Sequence, residues 1–172
     1  MGNTSRWRGY NFEYTLVKRF NSLDGWYARR FGGSSTGFPD IVAVNNSEKI
    51  LLTLEAKTGT SDGLYVPPDQ IERCAKILDV FKLYERKYAI LAFKFMSKKR
   101  FRNKNNSWYE HRQIHEYYKI ANSLLGRKRM PTIKCTYDGR TFVIGNETVK
   151  PVHLDDYVMP FHETALLKTF AY

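Results

Sequence analysis

The 172-residue chain encodes an α/β domain with a central mixed β-sheet flanked by helices, and three observations say so. Short β-branched and aromatic runs, bounded by turn residues, alternate with stretches of helical periodicity. Their order is helix, strand, strand, strand, helix, strand, which suits a sheet with antiparallel and parallel neighbours. With 42% hydrophobic and 15% aromatic residues, a chain of this length buries a core without disulfide or metal staples.

Phe12, Leu16 and Phe20 recur at intervals of four with Val17 beside them, the apolar stripe of a first helix. Asp24-Gly25 turns the chain, residues 26–30 form a short strand, and 32–37 is a loose run. Residues 41–44 are a short β-branched strand, Asn45-Asn46-Ser47 a turn, and 49–57 the next strand. Asp69 is the expected cap of a second helix, in which Ile71, Cys74, Ile77, Leu78 and Phe81 keep helical spacing. Residues 88–95 are another buried strand. Beyond 107, the spacing of His111, Ile114, Tyr118, Ala121 and Leu125 predicts a helix over 110–125. A hairpin follows, 132–137 and 141–144 around Asp138-Gly139, and the tail after Pro151 carries spaced aromatics to pack on the body or on another subunit. All of 1–172 is expected to form one domain, with a core over about 6–96. A variable basic loop, helix, hairpin and tail then occupy about 97–172.

Lys and Arg number 28 against 17 Asp and Glu, a net charge of +11 that favours a polyanionic partner. No stretch approaches the ~18 apolar residues of a membrane span, and the opening residues lack a secretory core, so a cytoplasmic, nucleoid-associated protein is expected. Cys74 and Cys135 are too few and too far apart for zinc and read as reduced thiols. His111 and His115 have no HExxH frame and no evident third ligand, so they read as surface or DNA-contacting residues. Without a Gly-rich phosphate loop or a nucleophile elbow, small-molecule enzymes of those classes are disfavoured.

The basic residues are clustered. Lys94, Lys98, Lys99, Arg100, Arg102 and Lys104 share one acid-free run, followed by Asn103, Asn105, Asn106 and Ser107, which read as a mobile loop. Phe95, Phe101, Trp108 and Tyr109 flank it with faces on which bases stack. Lys98, Lys99, Arg100 and Arg102 are therefore candidate phosphate contacts, joined by Arg6 and Arg8 near the start.

The acids define a second constellation. Glu55 and Lys57 share one face of their strand because side chains alternate, and Asp40 opens the neighbouring strand after Pro39. If those strands pair as a hairpin, Asp40 and Glu55 converge at its end with Lys57 alongside. Two carboxylates there make a hard-oxygen site suited to Mg²⁺, which activates water and stabilises charge on phosphate. A surface ion pair at a strand end is the plain alternative. Pro39-Asp40, fourteen residues, then Glu55-Ala56-Lys57 is the PD-(D/E)xK signature of a nuclease superfamily, here on two apolar strands after a helix bearing Glu13.

A wider set of motifs sharpens this. Gly9-Tyr10-Asn11-Phe12-Glu13, Gly25-Trp26, Arg30-Phe31-Gly32-Gly33-Ser34, Pro39-Asp40-Ile41-Val42-Ala43 and Leu54-Glu55-Ala56-Lys57 together resemble the archaeal Holliday junction resolvases. Tyr65-Val66, Gln70 and Leu91-Ala92-Phe93-Lys94-Phe95 look like later elements of that family, so the resemblance spans roughly 6–96. It implies a restriction-endonuclease-like core and a homodimeric endonuclease that resolves four-way DNA junctions by paired nicks. It implies Mg²⁺ as cofactor, with Mn²⁺ as a substitute, and recombination or replication proteins as further partners. By the same resemblance Glu13, Asp40 and Glu55 look like the metal carboxylates and Lys57 like the catalytic lysine. Arg30 and Ser34 match residues beside the active site (with Ser35 a near alternative to Ser34), and Arg30 also looks like a DNA contact. Gln70 is a further candidate. Tyr14 departs from the family, which commonly has a basic residue straight after the helix glutamate. A duplex-cleaving restriction or repair nuclease of the superfamily, or a branched-DNA binder that does not cut, is the alternative.

Overall fold

The computed structural model describes residues 3–32 and 37–162. Helix α1 (Asn3–Asn21) leads into β1 (Trp26–Arg30), β2 (Ile41–Asn45), β3 (Ile50–Gly59), β4 (Gly63–Val66) and helix α2 (Pro68–Val80). Strands β5 (Arg86–Arg102), β6 (Trp108–Ile120), β7 (Thr132–Thr136), β8 (Thr141–Ile144) and β9 (Val149–Pro151) follow, with a 3-10 turn at Asn122–Leu124.

A five-stranded sheet runs β1-β2-β3-β5-β6, and a four-stranded sheet runs β4-β7-β8-β9. Only β3 and β5 are parallel in the larger sheet, because β4 and α2 intervene and carry the chain back to its starting edge. The sheet is therefore mixed, as expected. Alternation along β3 sends Leu52, Leu54 and Ala56 into a core with Phe12, Leu16 and Phe20 of α1. Leu51, on the opposite parity, packs with Ile71, Cys74 and Leu78 of α2 and with Ile133 and Cys135 of the smaller sheet. Both faces of the central strands are thus covered, which accounts for their near-continuous apolar sequence. Cys74 and Cys135 are buried free thiols.

Several expectations are corrected. Residues 110–120 are strand β6, not helix; only Asn122–Leu124 takes a helical turn. An interval of four returns a side chain to one face of a strand as well as of a helix, so Ile114 and Tyr118 fit either, and antiparallel pairing with β5 decides. The basic run is not a loop. Strand β5 continues through it, paired with β6 as far as Arg102 opposite Trp108. Since β3 ends opposite Phe95, the outer part of β5 and β6 is a two-stranded arm beyond the sheet. Its tip is the asparagine cluster: Asn103 Oδ1 accepts the amides of Asn105 and Ser107, 3.1 and 3.0 Å, and Asn106 adopts φ 64°. Asp69 does not cap α2. Pro67 holds that position without a side-chain cap, and Asp69 pairs with Arg73 one turn on, 2.7 Å.

The 132–144 hairpin forms as expected, turning at Gly139 with φ +81°, where a Cβ would meet the Tyr117 ring at 2.6 Å. Strands β4 and β9 were not anticipated. The tail packs on its own body as far as it is described: Phe161 meets Phe20 edge-on at 5.4 Å, Tyr157 meets Tyr88 at 5.3 Å, and Asp156 pairs with Lys119 at 2.7 Å.

Candidate active site

Hairpin register builds the first half of the site. Ile41 pairs with Leu54, which sets Asp40 opposite Glu55 at the end of the ladder. Asp40 Oδ2 accepts the Ala56 amide at 2.8 Å. Lys57 Nζ lies 2.7 Å from Glu55 Oε1, two residues along the same strand face. Glu55 is 2% exposed, and its Oε2 is buried without a hydrogen-bond partner.

The second half comes from α1 and β1. Asn21, closing α1, clamps β1 through both backbone groups of Ala28: its amide donates to the carbonyl at 3.0 Å and its Oδ1 accepts the N–H at 2.7 Å. That clamp and the Gly25 turn (φ +79°) fix β1 against α1. Arg30, ending β1, then directs Nη2 and Nε at Glu13 Oε2, 2.6 and 2.7 Å away.

The two halves meet at Gly32. A Cβ placed there would lie 3.2 Å from Asp40 Oδ1 and 3.3 Å from Glu13 Oε2, so a side chain would crowd both carboxylates. Electrostatics report the same proximity. Burial and then the Asp40 charge raise the Glu13 carboxyl, outweighing Arg30 and Lys57. Burial lifts the Glu55 carboxyl to about 7, with Lys57 opposing and Asp40 adding. Glu13 and Glu55, each repelled by Asp40, with Glu55 Oε2 buried and unpartnered, are a hard-oxygen set that a divalent cation relieves. Among the described residues, no group of three His, Cys, Asp or Glu side chains is already drawn into metal-ligand geometry. The chemistry of this donor set suits such an ion, with Glu13 paired to Arg30, Glu55 to Lys57 and Asp40 to the Ala56 amide.

The other candidates separate. Ser34 lies outside the described residues, as does Ser35. Gln70, at the start of α2, keeps Oε1 buried and unpartnered. Arg8 lines a cleft of about 160 Å³ with Trp7, Thr58 and Lys94. Arg6 is in the first turns of α1, and Lys98, Lys99 and Arg100 are on the arm, with side chains outside the described set. Arg102 stacks over the exposed Trp108 at 5.5 Å. His115 packs edge-on against Tyr137 at 4.8 Å, an aromatic contact.

Two contributors were missed. Tyr10 lies under Arg30, 4.2 Å from guanidinium carbon to ring centroid; its place one turn before Glu13 was the available signal. Glu116 on β6 gathers Arg19 at 2.6 Å, Lys94 at 3.3 Å and the Tyr118 hydroxyl at 2.7 Å. Burial raises its carboxyl, but those hydrogen bonds and charges hold it below the ordinary value. Misreading β6 as helix hid this network.

No helix among the described residues is long and apolar enough to cross a membrane. No curated protein sequence matches the chain. Among solved structures, Hjc of Archaeoglobus fulgidus, described as a Holliday junction resolvase from an archaeal hyperthermophile, is similar at 22% identity and a TM-score of 0.48. The match covers 76% of this chain and 89% of that one. The family model described as archaeal Holliday junction resolvase (Hjc) matches residues 4–124. That span is more than half of the chain and contains every element of the site, so the chain belongs to the archaeal Holliday junction resolvase family, nucleases of branched DNA that generally need a divalent metal.

Proposed function

We propose that the protein is a Mg²⁺-dependent endodeoxyribonuclease in which Glu13, Asp40 and Glu55 hold the cation and Lys57 and Arg30 serve the scissile phosphate. The observation that carries this reading is the convergence of Asp40, Glu55 and Lys57 at one end of the β2–β3 hairpin, with Glu55 Oε2 buried and unpartnered and Glu13 facing Asp40 across Gly32. Bound there, Mg²⁺ supplies Lewis acidity toward phosphate and lowers the pKa of water.

The chain's own groups do the rest. Asp40 is fixed through Oδ2 by the Ala56 amide, and its Oδ1 faces Gly32. Lys57 is partly exposed while Glu55 is not, so its ammonium reaches from the buried acid to the surface where a phosphate arrives. There it stabilises charge developing on the phosphate oxygens. Arg30, also partly exposed, offers a second cation while orienting Glu13.

One chain carries one such site, and paired nicks need two. A homodimer with a two-fold axis is the economical arrangement. Among the described residues the tail aromatics Tyr157 and Phe161 pack on their own core, which favours the exposed apolar Val80, Phe81 and Leu83 at the end of α2 as the interface. The basic arm, with Arg102 and Lys104 at its tip, adds phosphate contacts, and the whole chain works as one nuclease domain. The test is cleavage of an immobile four-way junction against linear duplex of the same sequence, with and without Mg²⁺. Paired, Mg²⁺-dependent nicks in the junction alone are expected. Equal cutting of the duplex overturns junction selectivity, and a monomer by light scattering at cutting concentrations overturns the dimer.

A further inference from the structure

Helix α1 buries Phe12, Leu16 and Phe20 and turns Trp7, Tyr10 and Tyr14 the other way, 66%, 52% and 48% exposed. At 3.6 residues per turn these three positions fall within an arc of about 60°, roughly opposite the buried stripe. A contiguous exposed strip of large aromatics is what proteins keep for a partner. The Tyr10 and Tyr14 rings are nearly parallel, tilted by 6° with centroids 6.5 Å apart. Each carries a cation: Arg30 over Tyr10 at 4.2 Å and Lys18 over Tyr14 at 5.7 Å. Arg30 is also the residue that grips Glu13, so the strip begins at the carboxylate site.

Charge identifies the occupant. Within α1 the one acid is Glu13, set against Arg6, Arg8, Lys18 and Arg19. Rings flanked by cations suit nucleic acid, whose bases stack while its phosphates pair. A second copy of this chain suits the face poorly, because a two-fold axis through it would bring the same cations together.

We infer that Trp7, Tyr10 and Tyr14 form a platform on which bases unstacked at the branch point of the junction lie, beside the strand to be cut. The inference rests on the branched-DNA reading of the site and deepens it, because the platform discriminates branched from continuous DNA. In a continuous duplex every base face is already covered by its neighbour, and reaching the rings means breaking that stacking. At a branch point stacking is interrupted, so the faces are offered at lower cost. Tyr10 has a second part as a positioning residue, since its ring supports the guanidinium that holds Glu13.

The experiment uses the full chain and a four-way junction carrying 2-aminopurine at the branch point, with linear duplex of the same sequence as control. Binding is read in EDTA, and cleavage in Mg²⁺ is measured in parallel. Trp7→Ala/Tyr14→Ala should lose about tenfold or more in junction affinity, while duplex affinity stays within about twofold. It should also lose the 2-aminopurine quenching that the wild type gives, and Tyr14→Phe should keep it. For Tyr10, Leu should raise the Mg²⁺ concentration giving half-maximal cleavage and Phe should not. Equal loss on both DNAs, or unchanged junction affinity, overturns the platform. So does conversion of a dimer to a monomer, which assigns the face to a second copy. A wild type that binds junctions with quenching but never cuts them refutes the nuclease reading and leaves the platform standing.

Discussion

Asp40 and Ala56 are joined by one hydrogen bond, 2.8 Å from the Ala56 amide to Asp40 Oδ2, which ties the entry of β2 to the strand bearing Glu55 and Lys57. That bond engages Oδ2, while Oδ1 faces Gly32 and the Glu13 carboxylate beyond it. Asp40→Asn preserves an oxygen acceptor for that amide and removes the charge. It should abolish Mg²⁺-dependent nicking, as should Glu55→Gln, while junction binding holds or tightens as repulsion of phosphate falls. Nicking assays beside gel-shift titrations check this, and wild-type nicking by either variant contradicts the site.

Lys57→Ala should slow cleavage by about 100-fold or more, the range seen when a preorganised charge is removed from a transition state. It also leaves Glu55 buried without its cation, so thermal stability of the metal-free protein above neutral pH should fall. Single-turnover kinetics and a melting curve test the two effects separately.

Glu55 gives the pH dependence its sign. Its carboxyl is raised to about 7 from an ordinary 4.5, so the folded metal-free protein holds a proton that the unfolded chain has released. The stability this provides is complete below about 4.5 and lost as pH rises through about 7. With EDTA present, Tm should therefore carry a declining contribution across that window, and Glu55→Gln should remove it. Cleavage runs the other way, since the cation needs the carboxylate: its rate should rise through about pH 7, with the midpoint moving lower as Mg²⁺ increases. An EDTA melting profile of Glu55→Gln as steep as the wild type's would contradict this assignment.

The arm predicts a salt effect. Each phosphate contact adds about −0.9 to the slope of log affinity against log salt on duplex DNA. Replacing Lys98, Lys99 and Arg100 by Ala should make the slope for junction binding shallower by about two to three, weakening every sequence alike. Cleavage at saturating protein should stay near wild type, because the three residues lie beyond the carboxylate site. An unchanged slope means the arm does not touch DNA.

The site was more legible in sequence than the architecture around it. Strand alternation and one hairpin suffice to bring Asp40, Glu55 and Lys57 together, and both are local rules that the apolar runs of β2 and β3 state openly. Glu13 with Arg30 needed more, because the Asn21 clamp on Ala28 is a tertiary contact that no periodicity announces. Strand β6 was misread because an interval of four is common to both periods, and its partner β5 lies across a turn whose asparagines read equally well as a loose loop. Strands β4 and β9 are short, and their pairing with distant β7 and β8 leaves little mark on their own residues.

The placement of Glu55 and Lys57 two residues apart on one strand divides the site into a chassis and a handle. Asp40, Glu55 and Lys57 ride on a single hairpin buried on both faces, so no hinge lies between acid and amine, and their spacing stays constant however the protein grips its substrate. Glu13 and Arg30 hang from α1 and the end of β1, and any adjustment to differently shaped DNA falls to them.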